Sequence, residues 1–373
     1  MKTKMRIIML CILVLIFSSS VAYADDWNTE YGKYFEVYDI ENEEILFVTA
    51  MLVTKGDQYL SGDNRMYKVV EVDVDNWRAY AEFINEVSLP VIDEVAFSEI
   101  RLNLENGLGL ATMVAQKENK KIAIYTTHTA ESYIPSDGKY SIKGAGGIEK
   151  VAEVLRANLE KLGVDATYDS TNHDPHDAGS YKRSRRTAVQ MMREKQPTAI
   201  IDVHRDATPA KPYLTEINGK PASKVRLVVG RRNQNFKSNE EMAWKIKAVA
   251  DKMHPGLIKD IFYAKGNYNQ DLSPKAMLVE MGTYKTSRER AEKSTVFLSE
   301  VLTTALFGGT FKEQKDQAAK GEEGEAEKGR AEETKENKVE PMKPASKGMG
   351  TGVIWLVLIA GGGLAAFALL RKK

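Results

Sequence analysis

The chain of 373 residues carries 53 basic and 52 acidic side chains, and 43% of its residues are hydrophobic. A domain commonly holds about 100 to 200 residues, so the chain can form two domains with attached segments. The balanced charge excludes the strongly basic composition typical of nucleic-acid-binding proteins, and we predict no nucleic-acid partner. The single cysteine, Cys11, excludes an internal disulfide framework, an iron–sulfur cluster and a zinc site built from several thiolates.

Residues 1–24 have the pattern of a secretory signal peptide. Basic residues at positions 2, 4 and 6 precede an apolar run of 11 residues, and the small residues Ala22 and Ala24 follow it. The run is well short of the about 20 residues that a membrane-spanning helix needs. We therefore expect a cleaved signal, with an uncleaved N-terminal anchor as the alternative.

Residues 25–116 are expected to form a small β-rich region. Short apolar runs at Tyr34–Tyr38, Glu44–Val48 and Lys68–Val72 predict strands. Glycine and aspartate pairs at Gly56-Asp57 and Gly62-Asp63 predict the turns between them.

Residues 117–311 show strands and helices in alternation, which predicts an α/β fold with a mostly parallel sheet flanked by helices. The predicted strands are Ile122–Thr126, Val164–Tyr168, Ala199–Val203, Val225–Val229, a strand near Ile261, and Ala276–Glu280. The predicted helices are Gly147–Leu162, Ser184–Lys195, Asn239–Met253 and Ser287–Leu306. In folds of this kind, ligands bind beyond the carboxyl ends of the strands.

The C-terminal part predicts a tether and a membrane anchor. Residues 312–348 contain 9 basic and 10 acidic side chains and no aromatic residue, so we expect a disordered linker, with a charged helix as the alternative. Residues 351–370 form an apolar segment long enough to span a bilayer, and the basic residues 371–373 predict a cytoplasmic tail. These signals predict a single-pass cell-membrane protein whose folded part is extracytoplasmic.

Polar residues cluster where three predicted strands end. His128 and Glu131 follow the first of these strands, His204 and Arg205 follow the second, and Glu280 ends the third. Two imidazoles with nearby carboxylates at one edge of a sheet are the donors of a catalytic zinc site, and a further carboxylate can take a proton from water. Alone, a histidine at the end of a strand is more often a structural, hydrogen-bonded residue, and Glu131 alone could cap a turn.

The other histidines give weaker signals. His173 and His176 lie in one loop and indicate either a second small cluster or turn chemistry, and we favour turn chemistry for His176. His254 precedes Pro255-Gly256, where a helix is expected to end, and is consistent with compensation of the helix dipole.

Six motifs in order resemble the stage II sporulation protein P family over about residues 117–307. They are Tyr125-Thr-Thr-His-Thr-Ala-Glu-Ser-Tyr133, Asn172-His-Asp174 with Gly179-Ser-Tyr-Lys-Arg-Ser184, Ile201-Asp-Val-His-Arg-Asp206, Val228-Val-Gly-Arg231, Tyr268-Asn-Gln-Asp-Leu-Ser-Pro274 and Leu278-Val-Glu-Met-Gly282. The family is similar to zinc-dependent N-acetylmuramoyl-L-alanine amidases, which cleave the stem peptide from muramic acid in peptidoglycan.

The resemblance implies roles for particular residues. His128, Glu131 and His204 would be the zinc ligands, and Glu280 would be the catalytic base. The wider amidase group places the carboxylate ligand at the start of the next helix, where Glu149 is the alternative to Glu131. Arg205, Asn269 and Gln270 lie within the motifs and are expected to bind substrate.

The sequence departs from the family in two respects. Family members usually read His-Thr-His in the first motif, whereas this chain has Thr126 at the leading position. The usual anchor is N-terminal, whereas the anchor predicted here is C-terminal. The resemblance implies the sporulation protein D transglycosylase as a partner, and it leaves a zinc endopeptidase or an inactive wall-binding scaffold as alternative functions.

Overall fold

The computed structural model describes residues 32–105 and 120–311. The strands are β1 (Phe35–Asp39), β2 (Ile45–Thr49), β3 (Gln58–Leu60), β4 (Arg65–Asp73), β5 (Arg78–Glu86), β6 (Lys121–Tyr125), β7 (Asp165–Tyr168), β8 (Ala199–Asp206), β9 (Leu214–Ile217), β10 (Lys220–Ser223), β11 (Val225–Gly230), β12 (Ile258–Ala264) and β13 (Ala276–Thr283). The helices are α1 (Glu94–Glu105), α2 (Ile134–Asp137), α3 (Gly147–Lys161), α4 (Ser180–Lys195), α5 (Phe236–Met253) and α6 (Arg288–Phe307). Two short 3₁₀ turns lie at Lys211–Tyr213 and Gln270–Leu272.

Eleven of these strands form one sheet, in the order β2-β1-β5-β4-β3-β12-β11-β13-β8-β6-β7. Strands β7, β6, β8 and β13 are parallel neighbours, β11 runs antiparallel to β13, and β12 is parallel to β11. The α/β class is therefore confirmed. The sheet is mostly parallel from β12 to β7 and mixed over its full width.

The N-terminal strands extend this sheet and do not form a separate sheet of their own. Strand β3 pairs with β12 through the register Ile261↔Leu60, and β4, β5, β1 and β2 follow it outward. The described residues also fall within one compact unit. The expected small N-terminal unit is therefore joined to the α/β part by backbone hydrogen bonds, which local sequence patterns do not reveal.

The core lies on both faces of the sheet. Helix α3 buries Ile148, Val151, Leu155 and Leu159, whose spacing of three or four residues gives one apolar face. This face packs in the same cluster as α5 and α6. On the other face, Ala188 and Met191 of α4 cover β6 and β8. The central strands β8, β11 and β13 are buried along their whole length, as expected for strands covered by helices on both sides.

Several element boundaries differ from the sequence predictions. Strand β8 continues through Asp206, so His204 and Arg205 lie within the strand rather than after it. Helix α4 begins at Ser180 instead of Ser184. The β9–β10 hairpin and helix α1 were not predicted, because short polar strands and a weakly amphipathic helix give little periodic signal.

The predicted signal peptide (1–24), linker (312–348), membrane span (351–370) and tail (371–373) lie outside the described residues, as does the predicted domain boundary at 116 and 117. In the ranges 32–105 and 120–311, none of the helices has the length and apolar character needed to cross a membrane.

Candidate active site

Three neighbouring strands bring the predicted site residues together. His128 follows β6, His204 lies in β8, and Glu280 of β13 is the direct cross-strand partner of His204. These side chains are nearly buried, with exposed fractions of 3% for His128, 2% for His204 and 5% for Glu280. We refer to His128, Glu131, His204 and Glu280 as the rim cluster.

The imidazole of His204 lies between two carboxylates. Its Nε2 is 3.0 Å from Oδ1 of Asp202, and its Nδ1 is 3.9 Å from Oε2 of Glu131. Burial disfavours the charged ring, but the charge and close approach of Asp202 outweigh burial and raise the pKa of His204 to about 9. Asp202 is itself held by Thr127, which donates its N–H at 2.9 Å and its hydroxyl at 2.6 Å. Asp202 therefore lies within ion-pair distance of the His204 ring, although the contact does not have the geometry of a regular hydrogen bond.

His128 lies among three other rings. It stacks on His176 with a centroid distance of 3.7 Å and an interplanar angle of 10°. His204 and Tyr181 meet it edge-on at centroid distances of 5.0 and 5.5 Å. Burial, together with His176 and His204, holds the pKa of His128 well below its usual range. The ring is therefore neutral near pH 7, which is the form that binds a metal ion.

Glu131 is held in the rim cluster by Arg205. The backbone N–H of Arg205 donates to Oε2 at 2.9 Å, and its Nη1 donates to Oε1 at 3.4 Å. The same guanidinium donates to the carbonyls of Ser132 and Tyr140. Arg205 is therefore committed to the segment after β6, and its predicted contact with substrate remains a prediction.

Glu149, the alternative carboxylate, lies in the first turn of α3. Burial and the negative charge of Asp174 raise the pKa of Glu149, and neither histidine of the rim cluster contributes to the shift. In the rim cluster, Glu131 approaches His204 to 3.9 Å. The geometry thus places the carboxylate of Glu131, rather than that of Glu149, close to an imidazole of the rim cluster.

Glu280 has a carboxylate oxygen without a hydrogen-bond partner. Within the described part of the chain, its Oε2 is buried and unpaired, and Nε2 of the neighbouring His204 also makes no regular hydrogen bond. Burial and then the like charge of Asp206 raise the pKa of Glu280 to about 8, while His204 acts in the opposite direction. A buried carboxylate oxygen without a partner is costly in a folded protein and is typical of functional sites.

Thr126 stands where the family usually has a histidine, and its backbone is used within the protein. The carbonyl of Thr126 lies 2.7 Å from Nδ1 of His173. The neighbouring Thr127 bonds to Asp202 and to Ser184 of α4.

Asn269 and Gln270 use their amides within the protein. Asn269 donates to the carbonyl of Tyr181 and to Ser184. Gln270 is 1% exposed, accepts from the N–H of Gly230 and donates to the carbonyl of Val228, both at 2.8 Å. These bonds tie the Gln270–Leu272 turn to α4 and β11, and the predicted substrate contacts of both residues remain predictions.

Two other histidines have structural partners. His173 bonds through Nδ1 to the carbonyl of Thr126 and through Nε2 to Thr187. His254 lies 2.7 Å from the carboxylate of Glu300. His254 is the residue at which α5 ends, and its contact with Glu300 links this end to α6.

Sequence reasoning missed Asp202 and Tyr181, and it favoured turn chemistry for His176, which instead stacks on His128. Asp202 precedes His204 by two residues in a strand and therefore lies on the same face, a signal that was present in the sequence. His176 and Tyr181 reach the rim cluster from a loop and from α4, and no local pattern indicates this.

The donor chemistry of the rim cluster fits a zinc ion. One neutral imidazole, one imidazole backed by a carboxylate on its other nitrogen, and one carboxylate are the groups that catalytic zinc sites use. Across 32–105 and 120–311, no set of three or more histidine, cysteine, aspartate or glutamate side chains is arranged at metal-binding geometry. The rim cluster thus has the chemistry of a zinc site without its ligand distances.

A family model described as Stage II sporulation protein P matches residues 64–303. The curated stage II sporulation protein P of Bacillus subtilis (strain 168) is 29% identical over 224 residues, and the match covers 55% of each chain. The chain therefore aligns with about half the length of that relative.

Solved structures with detectable similarity include two amidases. The N-acetylmuramyl-L-alanine amidase Ami1 from Mycobacterium smegmatis has a TM-score of 0.35 and 15% identity, and the match covers 51% of this chain and 99% of that one. The CwlD amidase from Clostridioides difficile, solved in complex with the GerS lipoprotein, has a TM-score of 0.34 and 12% identity, and the match covers 51% of this chain and 96% of that one.

Proposed function

Because the chain belongs to the stage II sporulation protein P family, we propose that it is a peptidoglycan hydrolase used in sporulation. The specific activity that we infer is a zinc-dependent N-acetylmuramoyl-L-alanine amidase, which cleaves the stem peptide from muramic acid. The observation that carries this proposal is the buried Oε2 of Glu280 next to His204, which has no hydrogen-bond partner among the described residues. A pure binding protein has no need for a carboxylate of this kind beside an imidazole.

In this proposal His128, Glu131 and His204 hold the zinc ion. When bound, zinc polarises a carbonyl and lowers the pKa of water toward neutrality. Asp202 lies within ion-pair distance of Nε2 of the His204 ring, and Nδ1 lies on the side of Glu131. Arg205 keeps the Glu131 carboxylate in the same place through its backbone N–H.

Glu280 acts on the proton of the attacking water. In its ionised form, Oε2 would accept that proton as water adds to the amide carbonyl, and the same atom would then return the proton to the leaving nitrogen. The position of Glu280 within the buried strand β13 supports this role. Gly282, two residues later, has φ of 77°, and a Cβ at that position would lie 2.8 Å from the side-chain oxygens of Ser223 and Thr286. Glycine is thus required at the irregularity in strand pairing between Glu280 and Thr283.

We also propose that the catalytic part is extracytoplasmic and is tethered to the cell membrane by residues 351–370. The support is the pairing of an N-terminal signal pattern with a basic C-terminal tail. Protease added to wall-less cells should remove the folded part while an epitope after Lys373 stays protected. A folded part that resists protease in intact wall-less cells contradicts this orientation.

Mass spectrometry of digested peptidoglycan tests the proposed activity. The purified protein should release stem peptides with a free N-terminal alanine and leave glycan strands with bare muramic acid. Treatment with a chelator should abolish this release, and added zinc should restore it. Products cut only within peptide cross-links would indicate an endopeptidase instead, and the absence of any product with zinc bound would contradict the enzyme proposal.

A further inference from the structure

A third imidazole, His176, covers one face of His128. The two rings are stacked at a centroid distance of 3.7 Å with an interplanar angle of 10°. His128 is buried, whereas His176 is exposed. His176 therefore lies between the His128 ring and solvent.

The loop that carries His176 is fixed on its N-terminal side. The hydroxyl of Thr129 donates to Oδ1 of Asn172 at 2.9 Å and accepts from the N–H of His173 at 3.2 Å. The carboxylate of Asp174 accepts from the N–H of Gly144 at 2.7 Å. These bonds attach the loop to the segment that contains His128.

One arginine of α4 holds the loop both before and after His176. Arg183 donates through Nε to the carbonyl of His173 at 2.6 Å and through Nη2 to the carbonyl of Pro175, and both carbonyls precede His176. Nη2 also donates to Oδ1 of Asp177 at 2.6 Å, directly after His176. The backbone before His176 and the side chain after it are thus held by one guanidinium.

His176 is the ring that lies parallel to His128. His204 and Tyr181 are nearly perpendicular to His128, with interplanar angles of 83° and 82°. His176, at an interplanar angle of 10°, covers one face of the His128 ring. Aromatic rings in contact contribute a specific geometry beyond the area that they bury.

We propose that His176 is a positioning residue for His128, and that the stack holds the His128 ring in the plane in which it can bind the metal ion. This inference rests on the proposed function, because it takes His128 to be a zinc ligand. His176 does not share the ion as a fourth protein ligand in this arrangement. The nitrogen lone pairs of two stacked rings lie in nearly parallel planes, here with centroids 3.7 Å apart, so they do not converge on one ion at the about 2.0–2.1 Å of a zinc–imidazole bond.

Two substitutions separate the stacking role from a role of the imidazole nitrogens. His176→Phe keeps an aromatic face and removes the nitrogens, whereas His176→Ala removes both. Lys182→Ala is the control, because Lys182 is an exposed residue on the first turns of α4, close to the loop. The purified full chain is stripped of metal, and its zinc affinity is measured by competition with a chromogenic chelator.

We expect His176→Ala to weaken zinc binding by about 10- to 100-fold, the usual effect of removing a group that orients a ligand. His176→Phe should restore most of the affinity, and Lys182→Ala should match the wild type. In the metal-free protein, the imidazole proton resonances of His128 should shift in His176→Ala, because the ring current of the stacked neighbour is lost, and this readout needs no zinc and no activity.

Two outcomes overturn the inference while leaving the proposed function intact. One is wild-type zinc affinity in His176→Ala. The other is a His176→Phe protein as weak as His176→Ala, which would assign the effect to the nitrogens. A wild-type chain that binds no zinc overturns the proposed metal site, and the inference with it.

Discussion

Two buried polar clusters lie side by side on one face of the sheet and differ in how their charges are paired. The rim cluster contributes His204 and Glu280, which are cross-strand neighbours of each other. Glu280 is in turn the neighbour of Arg226, and Arg226 lies opposite Asp260. One row across four strands thus passes from the candidate site into a second group, the ion-pair cluster, formed by Arg226, Asp260, Asp206 and Lys259.

The ion-pair cluster is internally paired. Arg226 makes two bonds to Asp260, Nε to Oδ1 at 2.6 Å and Nη2 to Oδ2 at 2.9 Å, and its Nη1 lies 3.3 Å from Asp206. Burial alone would disfavour the charge, but Asp260 raises the pKa of Arg226 well above its usual value. Asp206 also accepts the N–H of Ala50, so this cluster joins the N-terminal strands to β8.

The two clusters show that buried charged groups on one sheet can have different roles, depending on how their charges are paired. A buried charge with a bidentate partner stays charged and holds strands together, and breaking it is expensive. A buried carboxylate with one oxygen unpaired, such as Glu280, has a site left for a proton or a water molecule. Four substitutions test whether the rim cluster and the ion-pair cluster have these different roles.

The largest effect is expected for Glu280→Gln. The amide keeps the shape of the side chain but cannot accept a proton, so amide cleavage should fall by about 10²- to 10⁴-fold. The melting temperature should stay the same or rise, because burial and Asp206 already disfavour the ionised carboxylate. A melting temperature that falls together with activity would indicate that Glu280 is a structural residue. Wild-type turnover by the zinc-loaded variant would remove Glu280 from the mechanism.

Asp260→Ala should lower the stability of the protein, whereas Glu280→Gln should lower its activity. It leaves Arg226 buried without its bidentate partner, so the free energy of unfolding should fall by about 3–5 kcal/mol, measured by urea denaturation. Glu241→Ala is the matched control, because it removes the Lys245–Glu241 pair on the surface of α5 and should cost less than about 1 kcal/mol. Equal costs for the two variants would show that the ion-pair cluster is not structural.

Asp202→Asn tests the support of His204. The amide weakens the charge-assisted contact with Nε2, so zinc affinity should fall by about 10- to 100-fold while the folded structure persists. Chelator competition measures the affinity, and circular dichroism checks the fold. Unchanged zinc affinity would exclude Asp202 as the group that orients His204.

Glu149→Gln should have the smallest effect. Glu149 has a pKa raised by burial and by Asp174, so a neutral amide should leave stability within about 0.5 kcal/mol of the wild type or raise it slightly. Zinc content should not change, whereas Glu131→Gln should lose zinc. A Glu149→Gln protein that contains no zinc would identify Glu149, rather than Glu131, as the carboxylate ligand.

Much of the fold could be predicted from local pattern. The apolar spacing of α3 and the continuous apolar runs of β6, β8 and β13 identify these elements, because hydrophobic periodicity depends on residues close in sequence. Their alternation also indicates which ends of the strands carry His128, His204 and Glu280. The membership of the family could be recognised from the same segments.

The amino-acid sequence was sufficient to predict the α/β class, most strands and helices of residues 120–311 and the residue types at the candidate site. The pairing of β3 with β12, the bond from Arg205 to Glu131 and the stacking of His176 on His128 are visible only in the folded chain. The physical reason is distance along the chain. Leu60 and Ile261 pair across about 200 residues, and such contacts are selected by the packing of the whole sheet rather than by local propensity.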